Sequence, residues 1–98
     1  MLEINLRLSN LNIINESLFL KNQFLRTVDI RNNLIKELPD AICELNILWK
    51  LRVDFNILEK LPCKIGNLER LEVLTASNNK ITTLPESLYK LTDKLGML

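Results

Sequence analysis

The chain has 98 residues and a formal net charge of +1, and 47% of its residues are hydrophobic. This length allows one domain at most, and the near-neutral charge argues against nucleic acid as the principal partner, because such binders usually carry a basic surface. Histidine is absent, which removes the commonest general base and the Ser–His and Cys–His nucleophile pairs, so we expect no catalytic residues and no enzyme activity.

The N-terminal part of the chain resembles an irregular version of the units that follow it. Leu6 and Leu8 match Val28 and Ile30 at an offset of 22 residues, which predicts a first strand there. The apolar residues that follow predict a short helix. Because terminal repeats are expected to be irregular, we interpret residues 1–24 as a degenerate unit that caps the N-terminus.

Three units of 23 residues then follow, at 25–47, 48–70 and 71–93, and residues 94–98 start a further unit or form a makeshift cap. Every unit keeps the same chemical class at nine positions. In the first unit these positions are Leu25, Val28, Ile30, Asn33, Ile35, Leu38–Pro39, Ile42 and Leu45.

Each unit combines a strand with a short helix. Val28 alternates with Asp29 in the period of two that is typical of a half-buried strand, and stacked units would pair such strands into a parallel sheet. Proline then ends the extended segment and favours a helical turn. The predicted α or 3-10 turns are Asp40–Leu45, Cys63–Leu68 and Glu86–Leu91.

The repeated asparagine is a predicted structural ladder. Asn33, Asn56 and Asn79 each follow a strand, where the chain turns inward and leaves backbone polar groups buried. A side-chain amide offers two donors and one acceptor, so it can bridge the turns of its own unit and the neighbouring unit.

The period and the L-x-x-L-x-L-x-x-N pattern of residues 25–91 resemble the intracellular Leu–Pro class of leucine-rich repeats, which includes Ras-suppressor-like and plant intracellular members. The resemblance implies an α/β leucine-rich-repeat solenoid: a short horseshoe with a parallel sheet on its concave face and short α or 3-10 helices on its convex face. It also implies a protein-binding role without catalysis.

A narrower resemblance rests on residues 6–14, Phe24–Leu25 and Glu37–Leu38–Pro39. These are similar to the opening of the leucine-rich-repeat region in the fungal-type carbon-catabolite-repression deadenylase. In that family the repeats join the nuclease to a partner subunit, and the nuclease activity lies in a separate downstream domain. This chain contains none of that domain, so no catalytic residue is carried over.

The concave face is the predicted binding surface. Trp49 and Phe55 are expected to face outward on the middle strand, where an exposed aromatic residue either contacts a partner or packs over its neighbours at the sheet margin. Neighbouring strands should also pair Asp29 with Arg52 and Arg31 with Asp54, either as a solvated ladder or as part of the binding surface. The full predicted partner-binding set is Trp49, Phe55, Arg26, Arg31, Lys50, Arg52, Asp54 and Glu72.

Other features of the sequence limit its chemistry. Cys43 and Cys63 occupy different positions of the repeat, which favours two reduced thiols over a disulfide and a cytoplasmic or nuclear protein over a secreted one. Two scattered cysteines do not make a zinc site, and two glycines do not make a phosphate-binding loop. We expect no metal, no cofactor and no membrane contact, since the N-terminus lacks a signal peptide or membrane span.

The sequence predicts a protein–protein adaptor or scaffold in an intracellular complex, which the narrower resemblance would place in mRNA deadenylation. The alternatives are a small structural subunit of a ribonucleoprotein assembly, where nucleic acid could be a direct contact, and a phosphatase-regulatory repeat protein. The apolar C-terminal edge has three explanations: a fragment of a longer protein, a cap formed by the last residues, or cover by another chain.

Overall fold

The computed structural model describes residues 2–91, which form four stacked turns of the chain with one strand in each turn. The strands are three residues long and alternate with one short α-helix and three 3-10 helices, η1 to η3. In chain order the elements are β1 (Glu3–Asn5), α1 (Ser17–Leu20), β2 (Thr27–Asp29), η1 (Asp40–Glu44), β3 (Lys50–Arg52), η2 (Ile65–Asn67), β4 (Val73–Thr75) and η3 (Glu86–Leu91).

The four strands form one parallel sheet in the order β1-β2-β3-β4. Ile4, Val28, Leu51 and Leu74 occupy equivalent positions across it, and each is buried against the core. The residues on either side of them are more exposed, because successive side chains of a strand point to opposite faces. The predicted α/β leucine-rich-repeat architecture, with a parallel sheet and short helices, is confirmed.

The predicted register of the first unit is wrong. Ile4 pairs with Val28, an offset of 24 residues, and Leu8 lies outside the strand. Leu8 has a φ of 56° and is 75% exposed. It occupies the left-handed turn position held by Asn32 and Phe55 in the next two units. An apolar residue at this turn position imitates the alternation of a strand, and one extra residue in the first unit shifts the frame.

The convex side is built from 3-10 turns that follow the Leu–Pro pairs. Pro39 is extended, with φ −66° and ψ 143°, and η1 begins at the next residue. Proline fixes φ at a value that suits a helical first turn. In the second unit η2 begins at Ile65, later than predicted, whereas η3 has the predicted bounds of Glu86–Leu91.

Stacked aliphatic side chains fill the space between the sheet and the convex turns. Ile30, Ile42, Leu48 and Leu71 are fully buried, and Phe19 of α1 closes the core in the first unit. Leu84 is 45% exposed although its equivalents Leu38 and Leu61 are 3% exposed, because within residues 2–91 its unit has a neighbour on one side only. The division of the whole chain into repeats and a cap stays a prediction, and residues 94–98 lie outside the described part.

Candidate protein-binding face

Asn56 fixes the backbone beneath the middle of the sheet. Its Nδ2 donates to the carbonyl oxygens of Val53 and Ile30, each at 3.0 Å, so one amide joins its own unit to the preceding one. Its Oδ1 accepts a hydrogen bond from the backbone N–H of Ile35 at 3.1 Å. Since Asn56 is 6% exposed, these bonds satisfy polar groups that water does not reach.

The other two asparagines make the same bridges in their units. Asn33 donates to the carbonyl oxygens of Leu6 and Ile30 and accepts from the N–H of Leu11 at 3.0 Å. Asn79 donates to the carbonyl oxygens of Val53 and Ala76 and accepts from the N–H of Leu58. The amide groups therefore link successive turns through residues 6–79 of the described chain.

The concave face carries a tight ion pair within β2 and the residues that follow it. Arg31 donates from Nε and Nη2 to the two carboxylate oxygens of Asp29, at 2.9 and 2.8 Å. Arg7 adds a longer contact of 3.9 Å to the same carboxylate. Burial acts to raise the pKa of Asp29, but the hydrogen bonds and charge of Arg31 outweigh it and lower that pKa below its ordinary value.

Asp29 and Arg52 lie opposite each other in the register, as predicted, but no salt bridge of the described chain joins either predicted cross-strand pair. Asp29 binds Arg31 of its own segment rather than Arg52, and Asp54 is only 8% exposed. The Asp54 carboxylate accepts from the Thr75 hydroxyl at 2.6 Å and from the Ser77 N–H at 2.8 Å. The Asp54 carboxylate thus bonds to hydroxyl and backbone N–H donors of the next unit. The sequence pattern predicted instead that it faces solvent and pairs with Arg31.

Two positively charged side chains of β3, Lys50 and Arg52, lie on the concave side of the sheet. Lys50 Nζ lies 4.7 Å from the centre of the Trp49 ring, a cation–π distance. Arg52 is half-buried, and its Nε atom is buried without a hydrogen-bond partner. Both side chains occupy the positions of β3 that alternate with the buried Leu51.

Trp49 lies immediately before β3 rather than within it, at the margin where the strands begin. Its N–H donates to the carbonyl oxygen of Arg26 at 2.9 Å, and its own carbonyl accepts from the N–H of Glu72 at 2.9 Å. These three predicted residues are therefore backbone neighbours in successive units. They border a cleft of about 730 Å³ whose walls are Arg26, Ile47, Trp49, Glu69, Arg70 and Glu72.

Phe55 lies at the opposite margin, in the turn after β3, with a φ of 58° and 53% of its side chain exposed. The sequence prediction of an outward aromatic on the strand itself is therefore wrong in its placement for both Trp49 and Phe55. Glu69 and Arg70, which were not predicted, belong to the cleft because the turn between η2 and β4 brings them beside Trp49.

The cysteines differ in environment. Cys43 is buried on the convex side and Cys63 is exposed, and both are free thiols. Burial raises the pKa of the Cys43 thiol to about 11, so it stays protonated and behaves as a small apolar residue. Within residues 2–91 no cluster of three or more histidine, cysteine or acidic residues is placed to hold a metal ion. No helix in that range is long and apolar enough to cross a bilayer.

Comparison with known proteins identifies the repeat. The family model described as Leucine Rich Repeat matches residues 24–45 and 70–91, close to the first and third predicted units. A plant intracellular Ras-group-related LRR protein from rice, Oryza sativa subsp. japonica, is 41% identical over 91 residues, which is 86% of this chain and 23% of that protein. A probable serine/threonine-protein kinase from Dictyostelium discoideum is 39% identical over 70 residues, 70% of this chain and 6% of the kinase.

The structure is also similar to that of a solved leucine-rich-repeat protein from Leptospira interrogans. The TM-score is 0.83 at 30% sequence identity, and the match covers 91% of this chain and 22% of the other. The chain thus spans less than a quarter of the length of each relative described here. The comparisons give no support to the narrower resemblance to the deadenylase. The matched segments and the amide-bridged parallel sheet together show that the chain contains leucine-rich repeats and has the leucine-rich-repeat fold.

Proposed function

We propose that this chain is an adaptor or scaffold module of an intracellular multi-subunit complex, and that it binds a protein partner through its concave sheet. Leucine-rich-repeat domains generally act as protein-binding modules. The observation that supports this role most strongly is the group formed by Lys50 and Arg52 of β3 with Trp49 at the margin beside them. In this group Lys50 contacts the Trp49 ring, and Arg52 Nε has no hydrogen-bond partner.

The chemistry of this group suits protein recognition. Tryptophan and arginine are the residue types that dominate binding hot spots, because they bury a large area and form directional contacts. The backbone beneath them is held by sheet hydrogen bonds on both sides of β3 and by Asn56. A partner would therefore meet side chains that need little ordering, which reduces the entropic cost of binding.

The size of the sheet indicates how the module works. Four strands spaced about 4.8 Å apart span roughly 15–20 Å, so a contact across them buries about 800 Å² per partner or less. A contact of this area binds weakly by itself and contributes alongside further contacts, which is why we place the module in a multi-subunit complex. We propose a cytoplasmic or nuclear location, supported by the free cysteines and by the intracellular rice relative.

No catalytic step forms part of this proposal. The chain contains no histidine, and the ionisable side chains of the concave face are engaged in ion pairs and hydrogen bonds or stand as isolated cations. The deadenylation complex is also left out of the proposal, because the comparisons do not support that assignment.

The test replaces both marginal aromatic residues. We expect the double variant Trp49→Ala, Phe55→Ala to lose partners that the wild-type chain captures from native lysate, as quantified by mass spectrometry. Its thermal midpoint should stay within a few degrees of wild type, because both side chains are at least 36% exposed. Tyr89→Ala, which removes an exposed aromatic from the convex η3, is the matched control. Unchanged capture by the double variant would remove the concave face from consideration.

A second role is favoured by the exposed apolar residues outside the concave face. Leu8, Ile13, Phe24 and Tyr89 are each at least 69% exposed, and single exposed apolar residues gain from being covered. A small structural subunit in a large assembly would cover them together with the sheet. The two roles therefore differ in how much of the surface the complex protects.

A further inference from the structure

Arg52 presents a polar atom that its surroundings leave unsatisfied. Its Nε is buried without a hydrogen-bond partner, while the residue as a whole is half-buried. Buried polar atoms in proteins are almost always hydrogen-bonded, so each exception needs an explanation. A ligand that supplies an acceptor is one such explanation.

The neighbours of Arg52 in the sheet do not supply that acceptor, and their side chains bond to other residues. Asp29 is its partner in the register on one side, and both carboxylate oxygens of Asp29 accept from Arg31. Thr75 is its partner on the other side, and the Thr75 hydroxyl donates to Asp54. Among the salt bridges of residues 2–91, none joins the guanidinium of Arg52 to Asp29 or Asp54.

Positive charge on β3 is also left without a counter-charge. Within residues 2–91 the ion pairs join Arg7 and Arg31 to Asp29, and Lys60 to Glu37. Lys50, two residues before Arg52 on the same face, contacts the Trp49 ring instead of a carboxylate. Two cations of β3 therefore lie on the concave face, with the Trp49 indole at its margin beside Lys50.

We propose that the protein partner places a carboxylate, from an Asp or Glu side chain of an acidic segment, against Arg52 and Lys50 beside Trp49. This inference rests on the proposed function and names the chemistry of the partner at that same face. Arginine offers parallel N–H donors from Nε and one Nη, which match the two oxygens of a carboxylate.

The space beside the two cations suits one side chain of the partner. A shallow hollow of about 190 Å³ lies over β1, β2 and β3, and Asp29, Lys50 and Arg52 are among its lining residues. The acids in its wall do not oppose an incoming carboxylate strongly. Asp29 is neutralised by two arginines, and Glu3 lies on the outer strand, where it accepts from the Thr27 hydroxyl.

The probe for the test is a fluorescein-labelled pentaglutamate peptide, with pentaglutamine as the uncharged control. Binding to the full chain is followed by fluorescence anisotropy at physiological salt, and the Nε–Hε cross-peaks of the arginines are followed by NMR. We expect the wild-type chain to bind pentaglutamate but not pentaglutamine, with the largest cross-peak shift at Arg52. We expect Arg52→Gln to weaken binding at least about tenfold, and Arg52→Lys to weaken it less.

The matched control is Lys64→Gln, which removes an exposed positive charge beside η2 on the convex side. Equal losses for Arg52→Gln and Lys64→Gln would show a general electrostatic attraction and overturn the proposal. An unmoved Arg52 cross-peak at millimolar peptide would overturn it as well. If the Arg52 result is negative while the Trp49, Phe55 double variant still loses its partner, the inference fails and the proposed function stands.

Discussion

At the scale of single residues, the fold depends on side chains that hydrogen-bond to backbone groups from which water is excluded. Asn33 and Asn56 are each 6% exposed, and their amide groups bond to carbonyl and N–H groups that no strand or helix satisfies. The leucine positions of the repeat supply burial. The asparagine position makes that burial compatible with a chain that turns inward once in every unit.

Replacing Asn56 with leucine tests this role. The change leaves the carbonyl oxygens of Ile30 and Val53 and the N–H of Ile35 without their partner, and each stranded group costs roughly 1–3 kcal/mol. We expect Asn56→Leu to lower the free energy of unfolding by at least about 1.5 kcal/mol, measured by urea melts. Asn46→Leu, at an exposed asparagine, should change it little. Equal stability of the two variants would contradict the bridging role.

The Asp29–Arg31 pair predicts a dependence of stability on pH. The pKa of Asp29 is lower in the folded state than its ordinary value of 3.8. A lowered folded-state pKa contributes stability that is present above the unfolded-state pKa and is lost as the pH falls through the folded-state pKa.

We therefore expect Asp29→Asn to be less stable than wild type at neutral pH, by on the order of 1 kcal/mol. The difference should shrink as the pH falls below the ordinary pKa of 3.8 and be lost as the pH falls through the lowered folded-state pKa. Urea melts across this range measure it. Glu37→Gln, which removes an exposed ion pair with Lys60, serves as the control. A difference that persists unchanged in acid would show that Asp29 acts through packing instead of charge.

Residue types that the repeat demands could be predicted from the sequence, whereas individual polar partners could not. The buried positions of Val28, Ile30 and Asn33 follow from their place in the unit. Asp54 was misplaced because its burial depends on hydroxyl groups of the next unit, at Thr75 and Ser77. Alternation along one strand does not reveal which donors lie on its neighbour.

At the scale of elements, the convex turns η2 and η3 approach each other closely. Gly66 of η2 lies against the backbone of η3, where an added Cβ would overlap the carbonyl oxygen of Ser87. The same contact is held by two hydrogen bonds, from the Gly66 N–H to Ser87 Oγ at 3.0 Å and from Ser87 Oγ to the Cys63 carbonyl at 2.6 Å. A side chain at position 66 would therefore push two turns apart.

Gly66→Ala tests this close approach. Because the obstructing atoms belong to the backbone, a rotamer change cannot relieve the overlap, and we expect a loss of about 1–3 kcal/mol, the usual cost of overpacking. Thermal or urea unfolding measures the loss. Lys64→Ala, at an exposed neighbouring position, should be close to neutral. Wild-type stability in Gly66→Ala would show that η2 and η3 do not pack as described.

The sheet and the convex turns could be predicted because each is encoded within one unit, by alternation and by Leu–Pro. Contacts between units are encoded less directly. Gly66 corresponds to Cys43 one unit earlier, and that small residue is the only local signal of a close approach. The first unit was misaligned because Leu8 occupies a left-handed turn that asparagine holds in the next unit, at Asn32.

At the scale of the whole molecule, the concave and convex sides present different side chains to solvent. The concave face carries the cations of β3, with Trp49 at its margin, and the convex side carries the turns with Cys63 and Tyr89. The first unit adds exposed apolar side chains of its own, at Leu2, Leu8, Ile13, Leu20 and Phe24. Its role as an N-terminal cap stays a prediction.

The sequence predicted the stack, because the stack follows from the period, and the use of the concave face by a partner stays a prediction. The identity of the partner could not be predicted, since the repeat pattern constrains the core positions and leaves the outward positions free. The unsatisfied Nε of Arg52 could not be predicted either, because its lack of a partner depends on Asp29 and Thr75 forming hydrogen bonds with other residues.

Hydroxyl-radical footprinting of the captured complex tests the central claim most directly, since oxidation of aromatic side chains reports their exposure at named positions. We predict that oxidation of Trp49 and Phe55 falls on complex formation while that of Tyr89 is unchanged. A fall at all three would favour the structural-subunit role. A fall at Tyr89 with Trp49 and Phe55 oxidised as in the free chain would contradict recognition through the concave sheet.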